Sequence, residues 1–205
     1  MDSIIFDLDG TLWNSTETIA DAWNELLKER GIDEPYITVA LLKTLFGKTL
    51  PEIAAAAFPQ FNHAEQLELI EACCEREHEF LLRYGSPTYP NLQEVLEDLS
   101  AKYPLFIVSN SQCDYIEIFL KVTGLGKYFK DHLCAGDTLK PKAYNISEIM
   151  RRNNLKTSVY VGDTDGDHKS AKTAGVPFVY ATYGFGETTA ADYEIKNLRD
   201  LTKLF

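Results

Sequence analysis

The sequence holds no apolar stretch approaching the roughly 20 residues that a membrane-crossing helix requires. Its first residues also lack a basic segment followed by the apolar core of a signal peptide. Those absences predict a cytoplasmic protein with no membrane partner. Cysteine is scarce: Cys73, Cys74, Cys113 and Cys134 show no Cys-x-x-Cys spacing and two are neighbours, which suits neither a disulfide framework nor a zinc site. Reduced thiols that mostly pack are expected. Positive charge is the minority sign, with 20 Lys and Arg against 31 Asp and Glu and a net charge of -11. Binding along a nucleic-acid backbone relies on clustered cations that displace counterions, so no nucleic-acid partner is expected. A small phosphate is still compatible with this charge if local lysines or a bound cation reverse the potential inside a site.

Low-complexity bias and repeats are missing too, and 45% hydrophobic with 25% charged residues is an ordinary globular balance. A chain of 205 residues can build one well-buried core plus a small accessory domain, but not two full enzymatic domains. Residues 15 to 30 carry Ile19, Trp23, Leu26 and Leu27 at helical spacing before Gly31. Further helical patterns cover 37 to 45, 50 to 57 and 63 to 83, the last with Leu67, Ile70, Cys74 and Leu81 on one side. Gly85-Ser86-Pro87 and Tyr89-Pro90 close this all-helical block.

After Asn91 the pattern changes to helices alternating with short apolar runs at 105 to 108, 158 to 161 and 177 to 181. That alternation predicts an α/β fold, a parallel sheet covered by helices on both faces. The apolar run at 3 to 7 belongs to the same sheet, which makes residues 15 to 85 an insertion. Residues 1–14 and 86–205 then form the core. Ligands of open parallel sheets bind beyond the carboxyl ends of the strands, where this chain is polar. Asp7 and Asp9 follow the first run two residues apart, so along a strand they face one side. Two carboxylates held that close repel unless a cation or proton separates them, a useful state where one acts as nucleophile and the other as acid. Ser109 and Asn110 follow Phe106-Ile107-Val108, and Asp163 and Asp167 follow Tyr160-Val161-Gly162. Asp-Gly is also common turn chemistry, but a surface turn does not account for polar partners at the end of each later strand.

This set and its order resemble the haloacid dehalogenase-like superfamily of hydrolases. The motifs that carry the resemblance are Asp7-Leu8-Asp9-Gly10-Thr11, Ser109, Lys140-Pro141 and Gly162-Asp163-Thr164-Asp165-Gly166-Asp167. The resemblance implies a Rossmann-like core with an inserted all-helical cap over residues 15–85, similar to the phosphoglycolate phosphatase and beta-phosphoglucomutase branch. It further implies a Mg²⁺-dependent phosphatase acting on a small phosphorylated metabolite through an aspartyl phosphate, as monomer or homodimer. Asp7 is then the nucleophile and Asp9 the acid and base. Ser109 bonds a phosphoryl oxygen, with backbone donors around Gly10 and Asn110, and Lys140 offsets charge. Mg²⁺ favours oxygen ligands. Asp7 and Asp163 suit it, the family pattern adds the backbone carbonyl of Asp9, and Asp167 acts through water or as an orienter. Lys140 is preferred to Lys142 because the family's lysine directly precedes proline, and Asp167 is preferred to Asp165.

In the insertion, Lys48 of Phe46-Gly47-Lys48-Thr49 is a candidate contact for an anionic part of the substrate, against the plainer reading as a solvated loop lysine. Gly47-Lys48-Thr49 also ends a P-loop pattern, but Leu42 stands where that loop needs glycine and no strand precedes it. His63 and His78, without a partner at ligand spacing, read as solvated. Two other functions use similar residues: a phosphomutase that returns the phosphoryl group, and a non-enzymatic phosphoacceptor signalling module. A dehalogenase needs no general acid at the second position, where Asp9 stands.

Overall fold

A computed structural model describes residues 1–205. Strand β1 (Ser3–Phe6) opens the chain and leads into four helices, α1 (Thr16–Glu29), α2 (Val39–Leu45), α3 (Leu50–Ala57) and α4 (His63–Tyr84). Then follow α5 (Leu92–Ser100), β2 (Leu105–Ser109), α6 (Tyr115–Thr123), β3 (Phe129–Cys134), α7 (Ala135–Thr138) and α8 (Lys142–Arg152). The chain ends with β4 (Ser158–Gly162), α9 (Asp165–Ala174), β5 (Phe178–Ala181), β6 (Tyr193–Ile195) and α10 (Leu201–Leu204). No helix is long and apolar enough to cross a membrane.

The six strands form one parallel sheet in the order β3-β2-β1-β4-β5-β6, with β1 between β2 and β4. Successive residues of a strand face opposite sides, and the two sides differ in their packing. Ile4, Phe6, Leu105, Ile107, Val159 and Val161 join a large core with α1 to α6. Ile5, Phe106, Val108 and Tyr160 join a smaller one with Ile146 and Ile149 of α8 and Ala171 of α9. This two-sided burial explains why β1, β2 and β4 read as continuous apolar runs rather than alternating ones.

Two strands escaped the sequence reading, β3 and β6. Both lie at sheet edges, and their sequences, FKDHLC and YEI, are interrupted by charged residues and partly exposed. The four inserted helices fall where their periodicity places them, with end shifts of one or two residues. On α4 the buried face is Leu69, Ile70, Cys73, Cys74, Glu77 and Leu81, so Leu69 takes the place expected for Leu67. The segments that precede α1 and follow α4 are laced together. Tyr89 donates to the carbonyl of Leu12 (3.0 Å) and Asn14 to that of Pro87 (2.9 Å). All four cysteines are free, Cys113 exposed and the others buried.

Candidate active site

Register sets the site. Phe6 is level with Ile107 and with Val161, so Asp7 and Asp163, just beyond β1 and β4, and Ser109, the last residue of β2, emerge together at the carboxyl edge of the sheet. Asp7, Asp163 and Asp167 are all buried, and each offers an oxygen within 4.8 Å of the other two.

The lysine among them is Lys142. Its Nζ donates to Asp7 Oδ1 at 2.8 Å and to Asp167 Oδ1 at 2.6 Å, with only 3% of the side chain exposed. Lys140, expected in this role, is exposed and lines a separate surface depression with Leu133 and Tyr144. Pro141 caps α8, so Lys142 becomes the first helical residue. It heads the inward stripe Lys142, Asn145, Ile146 and Ile149, one face of a 3.6-residue repeat. Asn145 fixes that end of α8 by donating to the carbonyl of Cys134 (3.2 Å) and accepting from Thr138 (2.7 Å). The stripe is visible in the sequence, and it points to Lys142.

The acids differ in what holds them. Asp167 has both oxygens engaged, Oδ1 by Lys142 and Oδ2 by the backbone of Asp163 (3.2 Å) and by the backbone and hydroxyl of Thr164 (3.0 and 2.7 Å). It fixes the loop and the lysine. Asp163 accepts at Oδ2 from the backbone of Phe185 (2.6 Å), while its Oδ1 is buried with no partner. An orphaned buried carboxylate oxygen beside Asp7 fits a hard divalent cation, which takes oxygen ligands. Burial pushes Asp163 well up in pKa, with Asp167 and Asp7 adding to it, and it also raises Asp7 against the pull of Lys142. Such carboxyls release protons when a cation arrives. Asp7 and Asp163 are therefore the side chains able to hold the metal directly. Asp165 is exposed and pairs with Lys169 at 2.7 Å.

Close approach requires glycine at position 10. Gly10 has φ +82°, and a Cβ there would lie 2.2 Å from Asp163 Oδ2. Its N–H donates to the carbonyl of Trp13 (3.0 Å). Gly10 therefore serves as the wall of the acidic cradle, and the backbone donor expected there is already engaged.

Asp9 has a different surrounding. Its Oδ1 accepts from Ser15 (2.5 Å) and from Tyr115 (2.9 Å). Burial lifts it to a pKa of about 6, with those two hydroxyls working against the rise. A carboxyl that changes charge near neutrality suits proton transfer. Ser15 and Tyr115 were not found from sequence, because only the fold brings them to Asp9.

Asp7, Asp9, Ser109, Asn110, Lys48 and Lys142 line one cavity of about 50 Å³. At about 10–15 Å³ per water this is room for roughly three to five waters, the scale of a phosphoryl group. Ser109 accepts from the backbone of Ser111 (3.2 Å), which orients its hydroxyl. Asn110 Nδ2 donates to the carbonyl of Gly47 (2.7 Å), so this side chain ties the loop after β2 to the loop after α2. Phe46 of the latter loop meets Phe185 edge to face at 5.7 Å. Lys48 is exposed at this loop and forms no ion pair. His63 is exposed as expected, while His78 is only partly so and lies 3.0 Å from Gln112.

A family model described as haloacid dehalogenase-like hydrolase matches residues 4–181. The phosphoglycolate phosphatase of Aquifex aeolicus is 29% identical over 209 residues, covering 98% of this chain and 95% of that protein. That of Rhodobacter capsulatus is 27% identical over 197 residues, covering 91% and 86%. Among solved structures, a haloacid dehalogenase-like family hydrolase from Streptococcus pneumoniae superposes with a TM-score of 0.87 at 23% identity, covering 100% of this chain and 98% of that one. A predicted phosphoglycolate phosphatase from Haemophilus somnus gives 0.84 at 26%, covering 100% and 97%. With the family model spanning most of its length and the acidic strand-end site in place, this chain belongs to the haloacid dehalogenase-like hydrolases.

Proposed function

We propose that the protein is a Mg²⁺-dependent phosphatase that hydrolyses a small phosphomonoester through an aspartyl phosphate on Asp7. The observation that carries this reading is the joint placement of Asp7 beside Asp163 and Lys142, with Asp9 on the same cavity in a separate hydroxyl cradle. The curated relatives named phosphoglycolate phosphatase support the same class of chemistry.

A bound divalent ion, held by Asp7 and Asp163, supplies charge neutralisation for the phosphoryl oxygens. Asp7 attacks phosphorus, forming a bond to its carboxylate oxygen while the bond from phosphorus to the ester oxygen breaks. Asp9 gives its proton to the departing alcohol. It then takes a proton from the water that attacks phosphorus, and the bond to Asp7 breaks to release phosphate. Ser109 donates to a phosphoryl oxygen. Lys142 offsets the charge that Asp7 shares with the phosphoryl group, and Asp167 keeps that lysine in place.

Residues 15–85 act as a cap over a core of residues 1–14 and 86–205. Contacts of Phe46 with Phe185 and of Gly47 with Asn110 seat the cap loop on the core at the cavity, which excludes bulk water from the reaction. Lys48 on this loop reaches toward the anionic substrate. A cavity of this size suits a small metabolite and not a polymer.

The expected assay result is turnover of p-nitrophenyl phosphate in Mg²⁺, abolished by EDTA and by Asp7→Asn. Stable one-to-one phosphorylation without turnover, or turnover that survives Asp7→Asn, refutes the reading.

A further inference from the structure

One buried carboxyl in the cavity has no part in the chemistry above. Glu77 lies on the buried face of α4, in the proposed cap, and is 4% exposed. Its Oε2 accepts from Trp23 Nε1 at 2.8 Å and its Oε1 from the amide of Gln112. No Lys, Arg or His pairs with it. A carboxyl offers about four acceptor positions, so two are spoken for and others remain. Next to Gln112, the hydroxyl of Ser111 lines the same cavity and is buried without any partner. A buried polar group left unbonded is costly, and such groups in a cavity are satisfied by what enters it.

The cavity thus has two ends. At the sheet edge stand Asp7, Lys142 and Ser109, which serve the phosphoryl group. From the inserted helices come Glu77, Ile19 and Ile53, and Ser111 stands between the two sides, its N–H on the Ser109 hydroxyl and the next residue, Gln112, on Glu77. Lys142 is held by two carboxylates and the partners of Glu77 are both neutral, so Glu77 has no cation beside it to share with a second anion. A hydroxyl can both give and take a hydrogen bond, and it finds both kinds of partner here whichever protonation state Glu77 holds.

We infer that Glu77 is a specificity-determining residue that, with Ser111, binds an uncharged hydroxyl on the leaving alcohol and disfavours a carboxylate in that place. This rests on the phosphatase reading and narrows its substrate class to small hydroxylated phosphomonoesters. A site built to bond a hydroxyl rejects the analogue that lacks it, because its polar groups are then left unpaired.

Three esters that share the phosphoryl group and first methylene test this: 2-hydroxyethyl phosphate, ethyl phosphate and 2-phosphoglycolate, with p-nitrophenyl phosphate reporting on the chemistry alone. For the wild-type protein in Mg²⁺, kcat/KM for 2-hydroxyethyl phosphate is expected to exceed that for each of the other two by at least about tenfold. Glu77→Ala and, separately, Ser111→Ala are expected to cut the hydroxyethyl-to-ethyl ratio severalfold. Glu77→Gln, which can still give and accept a hydrogen bond, is expected to retain most of it. A residue that only braces the fold would not move that ratio. Wild-type protein that cleaves p-nitrophenyl phosphate but prefers 2-phosphoglycolate, or does not distinguish the three, overturns the inference and leaves the phosphatase reading standing. So does an unchanged ratio in the alanine variants; should Glu77→Ala not fold, Ser111→Ala and the wild-type ratios decide. Failure to cleave p-nitrophenyl phosphate overturns both readings.

Discussion

Replacing Lys142 with methionine, beside a Lys140→Ala control, separates two lysines that stand two residues apart. Lys142 is 3% exposed and its ammonium bonds Asp7 at 2.8 Å and Asp167 at 2.6 Å. Although burial alone would lower its pKa, Asp167 and Asp7 hold the ammonium above its usual range. Methionine keeps most of the volume and removes the charge, leaving two buried carboxylates without their cation. Breaking a buried ion pair in this way costs about 3–5 kcal/mol. Burial already pushes Asp7 toward its neutral form, and taking up a proton eases the loss, so the lower end, about 3 kcal/mol, is the expectation. For a chain of this size each kcal/mol shifts Tm by about 2–4 °C, so Tm should fall by roughly 6–12 °C. If the same charge contact is lost in the transition state, kcat drops by at least about 100-fold at 1.36 kcal/mol per decade. Lys140→Ala, a surface change, should stay within about 0.5 kcal/mol and leave turnover near wild type. The measurements are thermal melts by circular dichroism and p-nitrophenyl phosphate turnover in Mg²⁺. A Lys140→Ala protein that loses turnover beside a fully active Lys142→Met would refute the assignment.

Asp7→Asn should lower kcat by at least about 10⁴-fold, the scale seen when a nucleophile is removed, with phosphate release as the readout; residual turnover near wild type counts against Asp7 as nucleophile. Asp9→Asn should cost about 10²–10⁴-fold, the usual worth of a general acid and base, and should slow an ester with a poor leaving group more than p-nitrophenyl phosphate; an equal effect on both would deny Asp9 the role of acid. Burial raises Asp9 to about 6 and Glu77 to about 8, and it raises Asp163 too. In the metal-free protein these groups therefore contribute stability that is full below the ordinary carboxylate range and is lost as pH rises toward about 8. Melts between pH 5 and pH 8 should show that decline, and Mg²⁺ at 100 times its Kd should stabilise by about 2.7 kcal/mol, with the larger rise in Tm at pH 8 than at pH 5 for the same Mg²⁺ concentration because Asp7 and Asp163 are raised; a shift independent of pH would speak against ligation by those two acids. Gly10→Ala should weaken Mg²⁺ binding as followed by calorimetry, because its Cβ would fall 2.2 Å from Asp163 at a φ of +82°; unchanged affinity would remove Asp163 from the metal site.

Much of this architecture was legible in the residues. Strands β1, β2, β4 and β5 are buried on both faces, so they appear as unbroken apolar runs. The inserted helices bury one stripe each and carry the matching period. Edge strands β3 and β6 lack that pressure and read as loop. At the site, Asp7, Asp9, Ser109, Asp163 and Asp167 declared themselves by following strands. The choice between Lys140 and Lys142 turned on where α8 begins, a matter of one residue at a helix cap. Glu77 carried a signal, an acid on the apolar face of α4 at helical spacing from Ile70, Cys73 and Leu81. Its partners Trp23 and Gln112 arrive from distant segments, as do Ser15 and Tyr115 for Asp9. No local pattern encodes those meetings.

The lacing of Leu12 to Tyr89 and of Asn14 to Pro87 sets where any swing of the helical layer must pivot, at the residues just past it. Ser15 is the first of these, and it is also the hydroxyl that grips Asp9. One residue is thus shared by the joint and by the carboxyl proposed to transfer protons. A rocking motion that drew Ser15 away would strip Asp9 of a donor and make it harder to ionise, so the posture of the proposed cap would be written into the acidity of that carboxyl.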